Sequence, residues 1–117
     1  MDFISDKLQQ YIDDHTMEES NLLKALDIET HQKVLQPRML SGSYQGRLLA
    51  LLSKIIGPKK ILEVGTYTGY ATLCMAEGLT TGGSIDTIDH NEELADMQRR
   101  YFNPVSYTHL RAHETSP

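Results

Sequence analysis

A parallel α/β fold, with helices leading into a strand-helix-strand-helix unit, is predicted from three stretches of the chain. Ile61, Leu62 and Val64 form a short apolar run that carries Glu63 and stops at Gly65. After Gly69 the residues Tyr70, Leu73, Cys74 and Ala76 recur at helical spacing. Beyond a Gly82-Gly83 turn, Ser84-Ile85-Asp86-Thr87-Ile88-Asp89 alternates as a second strand. Strand, tight turn and helix in that order make a ligand cradle at the carboxyl edge of the first strand, where helix N–H groups and glycine backbone come close.

The elements before this unit are helical. Phe3, Ile4, Leu8, Tyr11 and Ile12 line one side of a first amphipathic helix, opposite Asp6, Lys7, Gln9, Gln10 and Asp13. Thr16 and Glu19 have the spacing of a capping box for a second helix, with Leu22, Leu23 and Leu26 on its apolar face. Both faces read as packing surfaces. From Ile28 to Leu40 the periodicity weakens and Pro37 interrupts it, which predicts an irregular segment. Ser41 or Ser43 can then cap a third helix with the stripe Leu48, Leu49, Leu52, Ile55 and Ile56, ended by Gly57-Pro58. Gly78 closes the helix after the cradle. A last helix with Leu94, Met97 and Tyr101 inward follows Asn91 as its cap.

The cradle is built for something other than a phosphate. It lacks the Gly-Lys-Ser/Thr ending of a phosphate loop, and its glycines stand as Gly65-x-x-x-Gly69 rather than G-x-G-x-x-G. Glu63, two residues before the first glycine, would repel a pyrophosphate and attract an ammonium or sulfonium group. Asp89 ends the second strand twenty-four positions after Gly65, where a carboxylate can accept both hydroxyls of a ribose.

Glu63-Val64-Gly65-Thr66-Tyr67-Thr68-Gly69-Tyr70 resembles the first motif of class I S-adenosylmethionine-dependent methyltransferases, within them the metal-dependent O-methyltransferases related to catechol and caffeoyl-CoA methyltransferases. Met39-Leu40-Ser41-Gly42-Ser43-Tyr44-Gln45-Gly46 and Thr87-Ile88-Asp89-His90-Asn91-Glu92-Glu93 are similar to that family's flanking segments, and the resemblance runs over residues 1 to 102. It implies the N-terminal part of a Rossmann-like methyltransferase fold with an incomplete sheet: helices over 1–57, the β-α-β-α cofactor half-site over 58–104, and a tail over 105–117.

The same resemblance implies the roles of individual residues. Met39 would lie near the transferred methyl, the Ser41 N–H would meet the methionine carboxylate, and Glu63 would stand near the methionine amino group. Gly65 would let the backbone close on the cofactor, with Tyr67 alongside it. Thr72 would bond the methionine carboxylate, Asp89 the ribose, and His90 would lie beside the adenosine. Met39 reads equally as a gap-filling apolar residue, and Thr72 as a helix residue bonding its own preceding turn. The cofactor implied is S-adenosyl-L-methionine. A divalent cation, usually magnesium, and a catalytic base are expected only in a longer parent, downstream of this chain, so neither catalytic nor metal residues are assigned here. A small catechol-like hydroxyl acceptor is implied, with a hydroxylated uridine in tRNA as the alternative, and a homodimer for the full-length parent. A non-catalytic nucleotide-binding or interaction fragment is the rival class.

Length and charge bound these expectations. The chain has 117 residues and a formal net charge of −5 with pI near 5.4. A complete doubly wound methyltransferase domain needs about 150 residues. Acidic composition offers no general basic surface for a nucleic-acid backbone. The amino terminus lacks the pattern of a signal peptide, and the apolar run Leu48 to Leu52 is too short to span a bilayer. Cys74, the single cysteine, fits a reducing compartment. A cytoplasmic protein without a membrane partner is expected.

The tail from Val105 to Pro117 resembles a translated sequencing adapter and is read as foreign, without the family's next strand. His109 and His113 have the i, i+4 spacing of helical metal ligands, but no third ligand accompanies them. Two strands with one bare edge predict a weakly stable, aggregation-prone fragment.

Overall fold

The computed structural model describes residues 4–33, 42–89, 94–103 and the strand 110–114. Among the described residues, five helices and three strands follow in the order α1 (Asp6–His15), α2 (Asn21–Lys33), α3 (Ser43–Ile56), β1 (Lys60–Val64), α4 (Tyr70–Ala76), β2 (Ser84–Asp89), α5 (Ala95–Phe102) and β3 (Leu110–Glu114). The sheet is parallel throughout, in the order β1-β2-β3, with Glu63 in register with Thr87 and Ile88 with His113. This is a Rossmann-like α/β arrangement with leading helices.

β3 corrects the expectation of a tail without a strand. Its backbone pairs along β2 from Leu110 to Glu114, so the edge of β2 away from β1 is covered. The extended backbone also removes the helical spacing on which a His109–His113 ligand pair depended; His109 itself lies outside the described residues.

The two leading helices begin and end differently from expectation. Ser5 caps α1, its Oγ accepting the Leu8 N–H at 3.2 Å. Thr16 donates its hydroxyl back to the Ile12 carbonyl at 2.5 Å and so closes α1 instead of opening α2. Ser20 takes that second task, accepting the Leu23 N–H at 3.2 Å. α2 then runs through Ile28 to Lys33, where an irregular segment was expected. The expected segment's remainder, including Pro37, lies outside the described residues. No residue of α1 is buried, so its apolar side is not a packed face among the described residues.

The largest departure is at α3. Its periodicity is helical, and Gly57 stops it with a left-handed backbone whose N–H returns to Ser53 O, as expected. The buried side, however, is Gly46, Ala50 and Ser53, while Leu48, Leu52, Ile55 and Ile56 face outward. Close approach to α4 is the reason. A Cβ on Gly46 would stand 2.8 Å from Cys74 Sγ and from the Tyr70 ring. Ser53 Oγ donates to the Met75 carbonyl at 2.6 Å. Small residues let two helix backbones meet there, and bulk is turned away. N-terminal to the helix, Gly42 stands at the cap position without a side-chain bond, and Ser41 lies outside the described residues.

The core lies between α2, α4 and α5: Leu23, Leu26, Tyr70, Leu73, Cys74, Met97 and Phe102 pack as one cluster, with Leu49 and Tyr101 against it. Burying each large apolar side chain contributes about 1.5–3 kcal/mol. A polar clasp ties α2 to α5 beside this core. Arg100 donates to both oxygens of Glu29, at 3.1 and 2.5 Å, and the Tyr101 hydroxyl donates to Glu29 Oε1 at 2.8 Å. These charge-assisted bonds hold the Glu29 carboxyl down at about 2.

Candidate cofactor site

The carboxyl ends of β1 and β2 and the turn between β1 and α4 meet at one edge of the sheet. Gly65 continues the ladder one step past β1, donating its N–H to the Ile88 carbonyl at 2.7 Å, and then turns with φ 99°. A Cβ at Gly65 would meet nothing within 4 Å. The glycine is therefore required by backbone conformation, and open space lies over it. Gly69 closes the turn with φ 95°, and there a Cβ would strike the Phe102 ring at 2.7 Å.

Between the glycines, Tyr67 adopts φ 51°, the one positive φ among described non-glycine residues. Two bonds hold it there. Its N–H donates to Asp89 Oδ2 at 2.7 Å, and its carbonyl accepts from Gln98 Nε2 at 2.6 Å. Asp89 thus braces the turn from the end of β2, and the buried amide of Gln98 braces it from α5. A second support comes from α2, where the buried Thr30 and Thr68 hydroxyls pair at 3.1 Å.

Glu63 sits beneath the turn on β1. Its Oε1 accepts the Thr87 hydroxyl from β2 at 2.6 Å and also the Thr72 hydroxyl from α4. Burial raises its pKa above the ordinary carboxylate range, the two hydroxyl donors oppose that rise, and the Asp89 charge adds to it.

Of the eight residues expected to touch a cofactor, the structure brings Glu63, Gly65, Tyr67, Thr72 and Asp89 together at this edge. Met39, Ser41 and His90 lie outside the described residues. Thr72 is fully buried and its hydroxyl is committed to Glu63, so it serves the carboxylate below the turn. Three further participants were not anticipated: Thr66, whose hydroxyl lies 2.6 Å from Thr87 Oγ1, Thr87 itself, and Gln98. Alternation along β2 puts Thr87 on the same side as fully buried Ile85 and as Asp89, and that is the signal that could have found it. Among the described residues, no group of three His, Cys, Asp or Glu side chains is placed to hold a metal ion.

A parallel sheet with carboxylates ranged about a glycine turn at its carboxyl edge has the layout of Rossmann-like folds. The chain belongs to the O-methyltransferase family, whose model matches residues 13–114, past the Phe102 at which the resemblance had been expected to end. It is 35% identical over 107 residues to caffeoyl-CoA O-methyltransferase 2 of Zea mays, covering 90% of this chain and 40% of that protein. With catechol O-methyltransferase domain-containing protein 1 of Mus musculus it shares 34% identity over 92 residues, 79% of this chain and 35% of the relative. Among solved structures, the O-methyltransferase from Bacillus cereus in complex with SAH superposes with a TM-score of 0.80 at 27% identity, over 93% of this chain and 50% of that one. The SAH-bound methyltransferase of Podospora anserina gives a TM-score of 0.85 at 21% identity, over 94% of this chain and 48% of that one, a likeness of fold. The chain spans half or less of the length of these proteins.

Proposed function

We propose that this chain forms the front half of the cofactor site of an S-adenosylmethionine-dependent O-methyltransferase that methylates a hydroxyl of a small catechol-like acceptor. The observation that carries this reading is the pairing of Glu63 and Asp89 about the open backbone at Gly65. Glu63 matches an ammonium group and Asp89 a ribose diol, and a Cβ at Gly65 would meet nothing within 4 Å. Met39, Ser41 and His90 are proposed to complete the same site. The small acceptor is favoured by the caffeoyl-CoA and catechol methyltransferases among the relatives. Any divalent cation and its ligands are proposed to lie in a longer parent, as is a homodimer.

The cofactor's own contribution, when bound, is an electrophilic sulfonium methyl group. What this chain's residues contribute is placement: Glu63 would hold the amino end, Asp89 the ribose, and the braced turn would fix the distance between them. Isothermal titration of the 117-residue chain with S-adenosylmethionine and S-adenosylhomocysteine tests this. Binding that Glu63→Gln and Asp89→Ala each weaken about ten-fold or more supports the reading. Wild-type binding that neither substitution changes overturns it.

A further inference from the structure

Glu63 receives no cation from the described residues; what it receives is hydroxyl protons. A threonine side chain has one proton to give. With Glu63 ionised, Thr87 gives its proton to Glu63 Oε1 at 2.6 Å, and in the Thr66–Thr87 contact, also 2.6 Å and open in either direction by geometry alone, Thr66 is then the donor. The chain of bonds therefore has a direction: Thr66 to Thr87, Thr87 to Glu63, with Thr72 arriving at the same oxygen from α4. Thr66, Thr72 and Thr87 are exposed to only 3%, 0% and 0%. Hydroxyls at such positions carry a desolvation cost that a valine of the same shape would not, unless each is bonded. Here every one is bonded, and all of them lead to one carboxylate.

We propose that Thr66, Thr87 and Thr72 form a directed hydroxyl relay that orients Glu63 toward the glycine turn as an ionised carboxylate, with Thr87 as the positioning residue that sets preference for an adenosyl ligand bearing an ammonium group. The proposal rests on the cofactor reading above. Donors to the charged form of a carboxyl favour that form. The charged neighbour acting on Glu63 from β2 is Asp89, α4 contributes the Thr72 hydroxyl, and neither supplies a positive charge. The relay is thus the counterweight to burial and to Asp89 at this position.

Two measurements on Thr87→Val and Thr87→Ser separate the relay from the cofactor reading. In the ligand-free chain, carbon-detected NMR titration follows the Glu63 carboxyl directly. It should titrate at higher pH in Thr87→Val, return to the wild-type position in Thr87→Ser, and move upward likewise in Thr72→Val, a second route should Thr87→Val fail to fold. The second measurement compares S-adenosylmethionine with 5′-methylthioadenosine, which lacks the amino-acid portion. Thr87→Val should lose about ten-fold in affinity for the first and less than about two-fold for the second. An unmoved Glu63 titration in either valine variant overturns the relay, as does an equal loss for both ligands. A wild-type chain that binds neither ligand removes the cofactor reading alone, and the ligand-free titration still decides the relay.

Discussion

The Asp89 carboxylate accepts the backbone N–H of Tyr67 at 2.7 Å, and this bond joins the end of β2 to the most strained residue of the glycine turn. A tyrosine in the left-handed region costs on the order of 1 kcal/mol, offset only while its two peptide groups are held. Asp89→Ala removes one support and should destabilise the fold by about 1–3 kcal/mol. Asp89→Asn keeps a carbonyl acceptor and should cost less. Urea denaturation checks both, through a lower midpoint at unchanged slope.

Gln98 supplies the opposite support. Gln98→Leu keeps the volume and leaves the Tyr67 carbonyl without its donor, a loss of about 1–2 kcal/mol in the same experiment. Because Asp89 and Gln98 act on one residue, their losses should not add. A double mutant whose cost equals the sum of the two would show that the turn is not a single unit.

Gly65 and Gly78 should respond differently to alanine. At Gly65 a Cβ meets nothing within 4 Å, so Gly65→Ala should cost about 1 kcal/mol through its backbone conformation alone. At Gly78 the added carbon would stand 2.3 Å from the Ser53 carbonyl carbon, forcing α3 from α4. Gly78→Ala should cost about 3 kcal/mol or more. Thermal melts followed by circular dichroism rank the two, and a Gly65 variant as damaged as the Gly78 variant would contradict the open space over the turn.

Two carboxyls should give acid dependences of opposite sign. Glu29, held at about 2 by Arg100, contributes stability that is present above its ordinary value and is lost as pH falls through about 2. Glu29→Gln should therefore flatten the acid limb of a melting-temperature profile. Glu63, raised by burial, favours the folded state when protonated, and that contribution is lost as pH rises through its folded value. Glu63→Gln should melt higher than wild type at neutral pH while binding S-adenosylmethionine more weakly. A neutral-pH melting temperature below wild type would remove this opposition between fold and site.

The outward side of α3 and the exposed Leu62 and Val64 of β1 place apolar surface in solvent. Among the described residues, β1 pairs only with β2. Concentration-dependent self-association is expected in sedimentation velocity, and Ile55→Lys with Leu48→Glu should reduce it. Identical sedimentation of the variant and the wild type at high concentration would rule that surface out as its cause.

The parts of the site that the sequence disclosed are those whose residue type states their chemistry. Glu63, Gly65 and Asp89 are a carboxylate, a flexible link and a carboxylate at the ends of two strands, and the parallel pairing of β1 with β2 sets those ends side by side. The order of β1, α4, β2 and α5 was legible for the same reason, since short apolar runs and glycine turns are local. What was not legible depends on partners distant in sequence. Thr16 and Ser20 are both competent caps, and only the end of α1 decides between them. The stripe on α3 is a sound helical signal, yet the choice of which side to bury rests on how closely Gly46, Ser53 and Gly78 let two backbones approach. Thr66, Thr87 and Gln98 are unremarkable polar residues until the sheet and α5 bring them to Glu63 and Tyr67.

Cys74 is fully buried at the junction of α3 and α4; burial raises its thiol to about 11, against the opposing pull of an Arg47 guanidinium nitrogen at 3.7 Å. At neutral pH it is a protonated, sheltered sulfur, slow toward oxidants and alkylating agents alike. As the single cysteine of the chain, it is a natural clock for the separation of those two helices. Each labelling event would record one opening, with no engineered reporter.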